Sequence, residues 1–209
     1  NAGCFGGEMK NVVSSVEAAL VSGPSSPPAL TLRLSVTDRC DLRCCYCMPS
    51  AGVAPVSREE ILSFEEIVEV VRAIQQAASP LAVRFTGGEP LLRKGLAQLV
   101  AMLSAEEVAD LALTTNGQLL AEGAAELRST GLQRVNISLD TLDSKRFVQI
   151  SRGGDLRKTL AGIDAALEHE LTPVKLNAVI MQGVNDDEIA DLARFAVDRG
   201  CQLRFKRER

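Results

Sequence analysis

Three cysteines with short, regular spacing are the residues of this chain best suited to chemistry. Cys40, Cys44 and Cys47 form a CxxxCxxC triplet within the segment TDRCDLRCCYCMP. Three thiolates can ligate three irons of a [4Fe–4S] cube and leave the fourth iron open to a small molecule. The spacing therefore predicts an iron–sulfur cluster that takes part in a reaction.

Disulfides and zinc are the competing interpretations of these cysteines. Disulfide frameworks are typical of short secreted chains, and this sequence has no repeating cysteine pattern. Zinc sites also use short spacings, but the single histidine, His169, lies far along the chain in a predicted helix. Cys45 is a further thiol inside the triplet, whereas Cys4 and Cys201 have no partner at metal spacing. Iron–sulfur binding is the interpretation that the spacing favours.

Six β-rich runs alternate with helical patterns along the rest of the chain. The predicted strands are 30–36, 81–86, 110–115, 134–139, 173–181 and 201–205. The clearest helix begins with a capping box at 63–66, and apolar residues follow it at helical spacing. Repeated strand–helix–strand units imply parallel strands with right-handed crossovers. We expect an α/β fold, an incomplete (β/α) barrel of about six parallel strands that is truncated at the sixth.

Cationic and polar side chains alternate with apolar ones along these predicted strands. Successive residues of a strand face opposite sides, so Arg33, Arg84 and Lys175 are predicted to share the barrel interior with Asn, Ser and Thr residues. Burying unpaired cations is costly, and this interior therefore needs either compensating carboxylates or an anionic ligand, a demand that a nucleoside triphosphate would meet. The alternative is that the cations pair with Asp140 or Glu89 inside the barrel.

Composition limits the classes of function. The chain has 209 residues and a formal net charge of -4, and it lacks an apolar run of the ~18 residues that a membrane span requires. The nearly balanced charge gives no footprint for nucleic acid. Thiols beside a metal-type motif favour a reducing, cytoplasmic location. Residues 1–29 are predicted to be a loosely ordered lead-in, and residues 30–209 one core domain.

Short sequence motifs around the cysteines carry a family resemblance. Tyr46 is an aromatic residue directly before the last cysteine of the triplet. The other motifs are LRLSVTDRC at 32–40, CMP at 47–49, RFTGGEPLLR at 84–93, TTNG at 114–117, NISLDTLD at 136–143 and KLNAVI at 175–180. The chain resembles the radical S-adenosylmethionine superfamily and, within it, the GTP 3′,8-cyclase family of molybdenum cofactor biosynthesis. The similarity runs from about residue 30 to residue 205 and corresponds to the front part of that family's enzyme.

The resemblance implies a role for each matching residue. It makes Cys40, Cys44 and Cys47 the ligands of a [4Fe–4S] cluster with one open iron. The residues at positions that contact S-adenosylmethionine are Tyr46, Gly88 and Ser138. The residues at positions that contact GTP are Arg33, Arg84, Thr114, Lys175 and Arg204. No side chain of the chain is implied to act as a nucleophile.

The implied activity is that of a lyase that converts GTP to (8S)-3′,8-cyclo-7,8-dihydroguanosine 5′-triphosphate. S-adenosylmethionine would be cleaved to methionine and a 5′-deoxyadenosyl radical, which takes the 3′ hydrogen of GTP before C3′ attacks C8. The implied partners are an electron donor of the flavodoxin or ferredoxin type and the downstream cyclic pyranopterin monophosphate synthase. The resemblance also allows a homodimer.

Departures from the family pattern leave other functions open. Ala82 stands where the family has a basic residue, and Arg209 stands where it has a methionine that contacts the cosubstrate. The family's C-terminal domain with a second [4Fe–4S] cluster is not encoded, so little cyclase turnover is expected of the chain alone. The alternatives are another radical S-adenosylmethionine enzyme, such as a peptide-modifying one, an inactive form that only binds the cluster, and a non-catalytic metal-binding or interaction protein.

Overall fold

Strands and helices alternate along the chain, as the sequence predicts. The computed structural model describes residues 17–21 and 29–207. The strands are β1 (Glu17–Val21), β2 (Ala29–Ser35), β3 (Leu81–Thr86), β4 (Asp110–Thr115), β5 (Arg134–Ser138), β6 (Lys175–Ile180) and β7 (Gln202–Arg207). The helices are α1 (Phe64–Ala77), α2 (Leu96–Ala105), α3 (Leu120–Ser129), α4 (Ser144–Ser151), α5 (Leu156–Glu168) and α6 (Ile189–Asp198), with short 3-10 turns at Arg58–Glu60, Pro90–Leu92 and Asp186–Glu188.

All seven strands form one sheet in the order of the sequence. Strands β2 to β7 pair in parallel, which confirms the prediction of about six parallel strands. Within the described residues, β1 and β7 each pair with a single neighbour, so the sheet is an open, incomplete barrel. Parallel strands need crossover connections, and a helix provides the crossover after each strand from β3 to β6.

Strand β1 departs from the prediction of a loosely ordered lead-in at residues 1–29. Its backbone pairs antiparallel with β2, from Glu17 opposite Arg33 to Val21 opposite Ala29. The pairing gives β2 a second hydrogen-bonded neighbour, which covers an edge that would otherwise be open. The rest of the predicted lead-in, residues 1–16 and 22–28, lies outside the described part of the chain.

The α1 helix forms where the sequence predicts it. The Ser63 hydroxyl accepts a hydrogen bond from the Glu66 amide at 3.2 Å, and the Glu66 carboxylate accepts one from the Ser63 amide at 2.7 Å. This reciprocal pair satisfies two amides at the start of the helix. With 14 residues α1 is the longest of the described helices, and none of them is long and apolar enough to cross a bilayer.

One face of the sheet carries the hydrophobic core. The buried strand residues on this face are Leu32, Leu34, Leu81, Val83, Phe85, Leu111, Leu113, Val135, Ile137, Leu176 and Ala178. They pack against apolar residues of the helices in one continuous cluster. Because side chains alternate along a strand, the intervening residues lie on the opposite face. The predicted division into an apolar face and a polar face is confirmed.

Leu113 lies at the centre of this core and is fully buried. Replacing it with alanine removes apolar contacts and leaves a cavity, so Leu113→Ala should lower the free energy of unfolding by about 2–5 kcal/mol. Val197, at 76% exposure in α6, provides the control, since Val197→Ala should change that free energy by less than about 0.5 kcal/mol. Urea denaturation measures both variants, and equal losses would contradict the placement of the core.

Candidate active site

The cysteine loop follows β2 and is held by the end of α4. The Arg43 amide donates to the Ser151 carbonyl oxygen and the Cys45 amide to the Ile150 carbonyl oxygen, both at 2.9 Å. The Arg152 guanidinium donates to the Met48 carbonyl oxygen, also at 2.9 Å. These bonds fix the loop at both ends of the Cys44–Cys47 segment.

The glycines of the GGEP motif bring the turn after β3 against the chain directly before Cys40. The Gly88 amide donates to the Thr37 carbonyl oxygen at 2.8 Å, and the Glu89 amide donates to the Arg39 carbonyl oxygen at 2.7 Å. A Cβ atom on Gly88 would overlap the Arg39 carbonyl, and one on Gly87 would overlap the Thr37 carbonyl. Gly87 also has a φ of +148°, which favours glycine. The motif therefore positions the start of the cysteine loop.

The Glu89 side chain connects this turn to the loop after β4. Its carboxylate accepts hydrogen bonds from the Leu91 amide at 3.0 Å, the Thr115 hydroxyl at 2.7 Å and the Asn116 amide at 2.8 Å. The Asn116 side chain donates in turn to Asp41, beside Cys40, at 2.7 Å. Burial raises the pKa of Glu89 to about 7. Glu89 thus joins three loops at one edge of the sheet.

Of the three cysteines of the triplet, Cys40 and Cys44 are half-buried and Cys47 is exposed. Burial is the main cause that raises the pKa of Cys40 to about 11 and that of Cys44 to about 12, and it also raises the pKa of Cys47. The thiols lie close enough for the charge of Cys47 to contribute to both other shifts. A bound metal deprotonates a coordinating thiol outright, so cationic irons would offset this burial. The triplet supplies the three cysteine ligands that a cluster with one open iron requires.

Cys45 contacts the residue that follows β6. Its Sγ lies 3.9 Å from the Met181 thioether sulfur, next to the end of β6. Cys201, at the start of β7, has its Sγ 3.8 Å from the Arg199 carbonyl oxygen. Cys4 lies outside the described residues. These positions agree with Cys40, Cys44 and Cys47 as the thiols available for one cluster.

Tyr46 connects the cysteine loop to the sheet interior. Its hydroxyl donates to Asp140 Oδ2 at 2.6 Å, while Asp140 Oδ1 accepts from the Val179 amide at 2.8 Å. Burial raises the pKa of both Tyr46 and Asp140, and the tyrosine hydroxyl bond partly counteracts the shift of the carboxyl. Sequence reasoning did not find this pair. It holds the middle of the cysteine loop against β6.

The predicted GTP-contacting residues lie on the polar face of the sheet. Arg33 is opposite Arg84 in the β2–β3 register, and Thr114 is opposite Asn136, which is in turn opposite Lys175. Arg204 is opposite Asn177, which is in turn opposite Ser138. The structure therefore brings these residues to one face. The role of each in binding stays a prediction.

The alternative pairing of these cations with Asp140 or Glu89 is not observed for Arg84 or Lys175. The two carboxylates accept hydrogen bonds from amides and hydroxyls instead. Arg84 Nε is buried without a hydrogen-bond partner. Burial is the largest cause that lowers the pKa of Arg84, and the nearby Arg134 adds to it. An anionic ligand on this face would offset the charge of the guanidinium.

Two charged residues of this face were missed in the sequence. Arg134 pairs with Asp110 through two hydrogen bonds, one of 2.8 Å from Nε to Oδ1. Lys206 follows Arg204 at the same parity on β7 and lies opposite Val179. The alternation along the strands was the signal for both, but β7 extends beyond the predicted 201–205 to Arg207.

The sequence of the chain shows its family. A family model described as "Radical SAM superfamily" matches residues 34–196, and the chain belongs to this superfamily. Among its curated relatives, the GTP 3′,8-cyclase of Geobacter sulfurreducens is 51% identical over 175 residues, 83% of this chain and 53% of the relative. The GTP 3′,8-cyclase of Peptoclostridium acidaminophilum is 50% identical over 175 residues, 83% of this chain and 54% of the relative. The chain spans about half the length of the curated relatives it matches.

Solved structures confirm the fold class. Streptococcus suis SuiB bound to the precursor peptide SuiA has a TM-score of 0.68 at 20% identity and covers 84% of this chain and 38% of that chain. Methylornithine synthase has a TM-score of 0.68 at 16% identity and covers 86% of this chain and 53% of that chain. At these identities the likeness shows the fold alone, an incomplete α/β barrel of the radical SAM type.

Adding one methyl group at Gly88 tests its close contact with the segment before Cys40. Gly88→Ala should lower the free energy of unfolding by about 1–3 kcal/mol, because the new Cβ overlaps backbone that cannot move freely. It should also reduce the iron retained after anaerobic reconstitution, since Cys40 is displaced. Thermal denaturation and iron analysis measure the two effects.

Gly123 in α3 is the matched control for Gly88. A Cβ there would contact only Leu127, at 3.9 Å, so Gly123→Ala should raise stability by about 0.5–1 kcal/mol and leave iron content unchanged. Normal iron retention in Gly88→Ala would show that the GGEP motif does not position the cysteine loop.

Proposed function

We propose that this chain is the radical-generating domain of a GTP 3′,8-cyclase. The observation that carries the proposal is a loop with three thiols beside the cationic face, which is the polar side of the sheet with Arg33, Arg84, Lys175 and Arg204. On this face, Nε of Arg84 lacks a hydrogen-bond partner. The names of the relatives at about half identity agree with it. The substrate assigned to the chain is GTP, and the cosubstrate is S-adenosylmethionine.

Cys40, Cys44 and Cys47 would hold a [4Fe–4S] cluster with one iron free of protein ligands. When bound, the cluster supplies the electron that cleaves S-adenosylmethionine to methionine and a 5′-deoxyadenosyl radical. The chain's own contribution is to orient the cosubstrate and to exclude water. Tyr46, Gly88 and Ser138 are the residues proposed to contact it. The hydroxyl of Tyr46 is already fixed by Asp140, so its ring is pre-positioned.

GTP would lie against the cationic face. The proposed contacts are Arg33, Arg84, Thr114, Lys175 and Arg204. A guanidinium can bind phosphate oxygens through two parallel hydrogen bonds, and a lysine acts as a point charge. The partly buried position of Arg84 strengthens such a contact, because the local dielectric is lower than that of water. Binding at this face would bring the ribose of GTP towards the cysteine loop.

Complete cyclisation is proposed to require more than these residues. The relatives are about twice as long as the matched region, and the family resemblance implies a second [4Fe–4S] cluster in the part of the relatives beyond that region. We therefore assign radical formation to this chain and expect poor cyclase turnover from it alone. An electron donor of the flavodoxin or ferredoxin type, a downstream cyclic pyranopterin monophosphate synthase, a cytoplasmic location and a homodimer belong to the same proposal.

Formation of 5′-deoxyadenosine tests the proposed function. After anaerobic reconstitution and reduction with dithionite, the chain should cleave S-adenosylmethionine, and GTP should raise the yield about tenfold over ATP, since substrate binding energy is used at the reacting centre. Liquid chromatography with mass detection quantifies the product. A peptide-modifying enzyme of the same superfamily would show equal yields with both nucleotides, which would contradict the proposal.

Two cysteine variants provide matched controls in this assay. Cys44→Ser should abolish the product, because it removes a ligand of the cluster. Cys45→Ser should retain most of it, because Cys45 is directed towards Met181. Loss of product in Cys45→Ser with normal yield in Cys44→Ser would reverse the ligand assignment.

A further inference from the structure

The last described strand extends the cationic face by one residue that no motif includes. Lys206 has the same parity as Arg204, so both side chains lie on the polar face of β7. Arg207, the next residue, lies on the opposite face and pairs in register with Ile180. The side chain of Lys206 is exposed, and β7 is an edge strand within the described residues. A ligand on this face can therefore reach the ammonium group.

The charges around Lys206 are mainly of its own sign. Partial burial is the largest cause that lowers the pKa of Lys206, and Arg204, Arg33 and Arg84, which all lie within electrostatic range, add to it. Asp140 is the carboxylate that acts in the opposite direction. Its two side-chain oxygens already accept hydrogen bonds from Tyr46 and the Val179 amide. A multivalent anion would offset the positive charge that Arg84, Arg204 and Lys206 bring to this face.

We propose that Lys206 is a phosphate-binding residue, and that its ammonium group contacts the polyphosphate of the nucleotide that occupies the cationic face with Arg84 and Arg204. The inference rests on the proposed function, because it takes GTP as the ligand. A polyphosphate fits better than a single carboxylate, since several phosphate groups can contact cations that belong to three different strands, β2, β3 and β7. The ammonium group also adds a contact that guanosine without phosphates cannot make.

Equilibrium dialysis of the reconstituted chain against radiolabelled ligands tests this assignment. Lys206→Ala should weaken GTP binding about tenfold, the typical loss for one charge-assisted contact. The affinities for guanosine and for S-adenosylmethionine should not change. Lys206→Arg should restore most of the GTP affinity. Arg207→Ala is the matched control, since it removes the same formal charge from the neighbouring residue on the other face and should weaken GTP binding less than twofold.

Each other outcome has a defined meaning. An equal loss in Lys206→Ala and Arg207→Ala would show that only the net charge matters and would overturn the assignment. Loss of guanosine affinity in Lys206→Ala would indicate an indirect effect through Asp140, and loss of S-adenosylmethionine affinity would move the contact to the cosubstrate carboxylate. Both would overturn it. If the unsubstituted chain binds S-adenosylmethionine but not GTP, the proposed function fails together with this inference.

Discussion

The close approach of two backbone segments is the constraint on which the rest of the site depends. The turn after β3 can donate two amide hydrogen bonds to the carbonyls of Thr37 and Arg39 only because Gly87 and Gly88 have no side chains. This contact determines where the cysteine loop leaves the sheet. Glu89 then extends the same contact to the loop after β4. The cysteine loop is therefore connected to the sheet first through backbone contacts, and the side chains of Glu89 and Tyr46 add further hydrogen bonds.

The two faces of the sheet serve different physical purposes. The face towards the helices is filled with buried Leu, Ile, Val and Phe residues, which supply stability. The other face carries arginines and lysines that a small barrel would ordinarily replace with branched apolar residues. Arg84, with a buried Nε and no hydrogen-bond partner there, shows the cost of this arrangement. The cost is understandable if the face is built for a polyanionic ligand, and the same charges explain why Lys206 belongs to the site.

The sequence predicted the features that depend on periodicity and spacing. Strand alternation identified the polar face, and the triplet identified the cysteine loop. The strand at Glu17–Val21 was not predicted, because its pairing depends on a tertiary neighbour rather than on local composition. The contacts of Tyr46 with Asp140 and of Cys45 with Met181 join residues more than ninety positions apart, and no local pattern encodes them. Lys206 could have been found from parity, had the end of the sixth parallel strand been placed correctly.

We propose that Cys40, Cys44 and Cys47 hold a cluster with one iron open to S-adenosylmethionine. Iron and acid-labile sulfide analysis of the anaerobically reconstituted chain, with electron paramagnetic resonance of its reduced form, tests it most directly. We expect about four irons and four sulfides per chain, as a cubane requires, and a change in the spectrum when S-adenosylmethionine is added. Bound zinc without sulfide, or a cluster whose spectrum is unchanged by S-adenosylmethionine, would contradict the account.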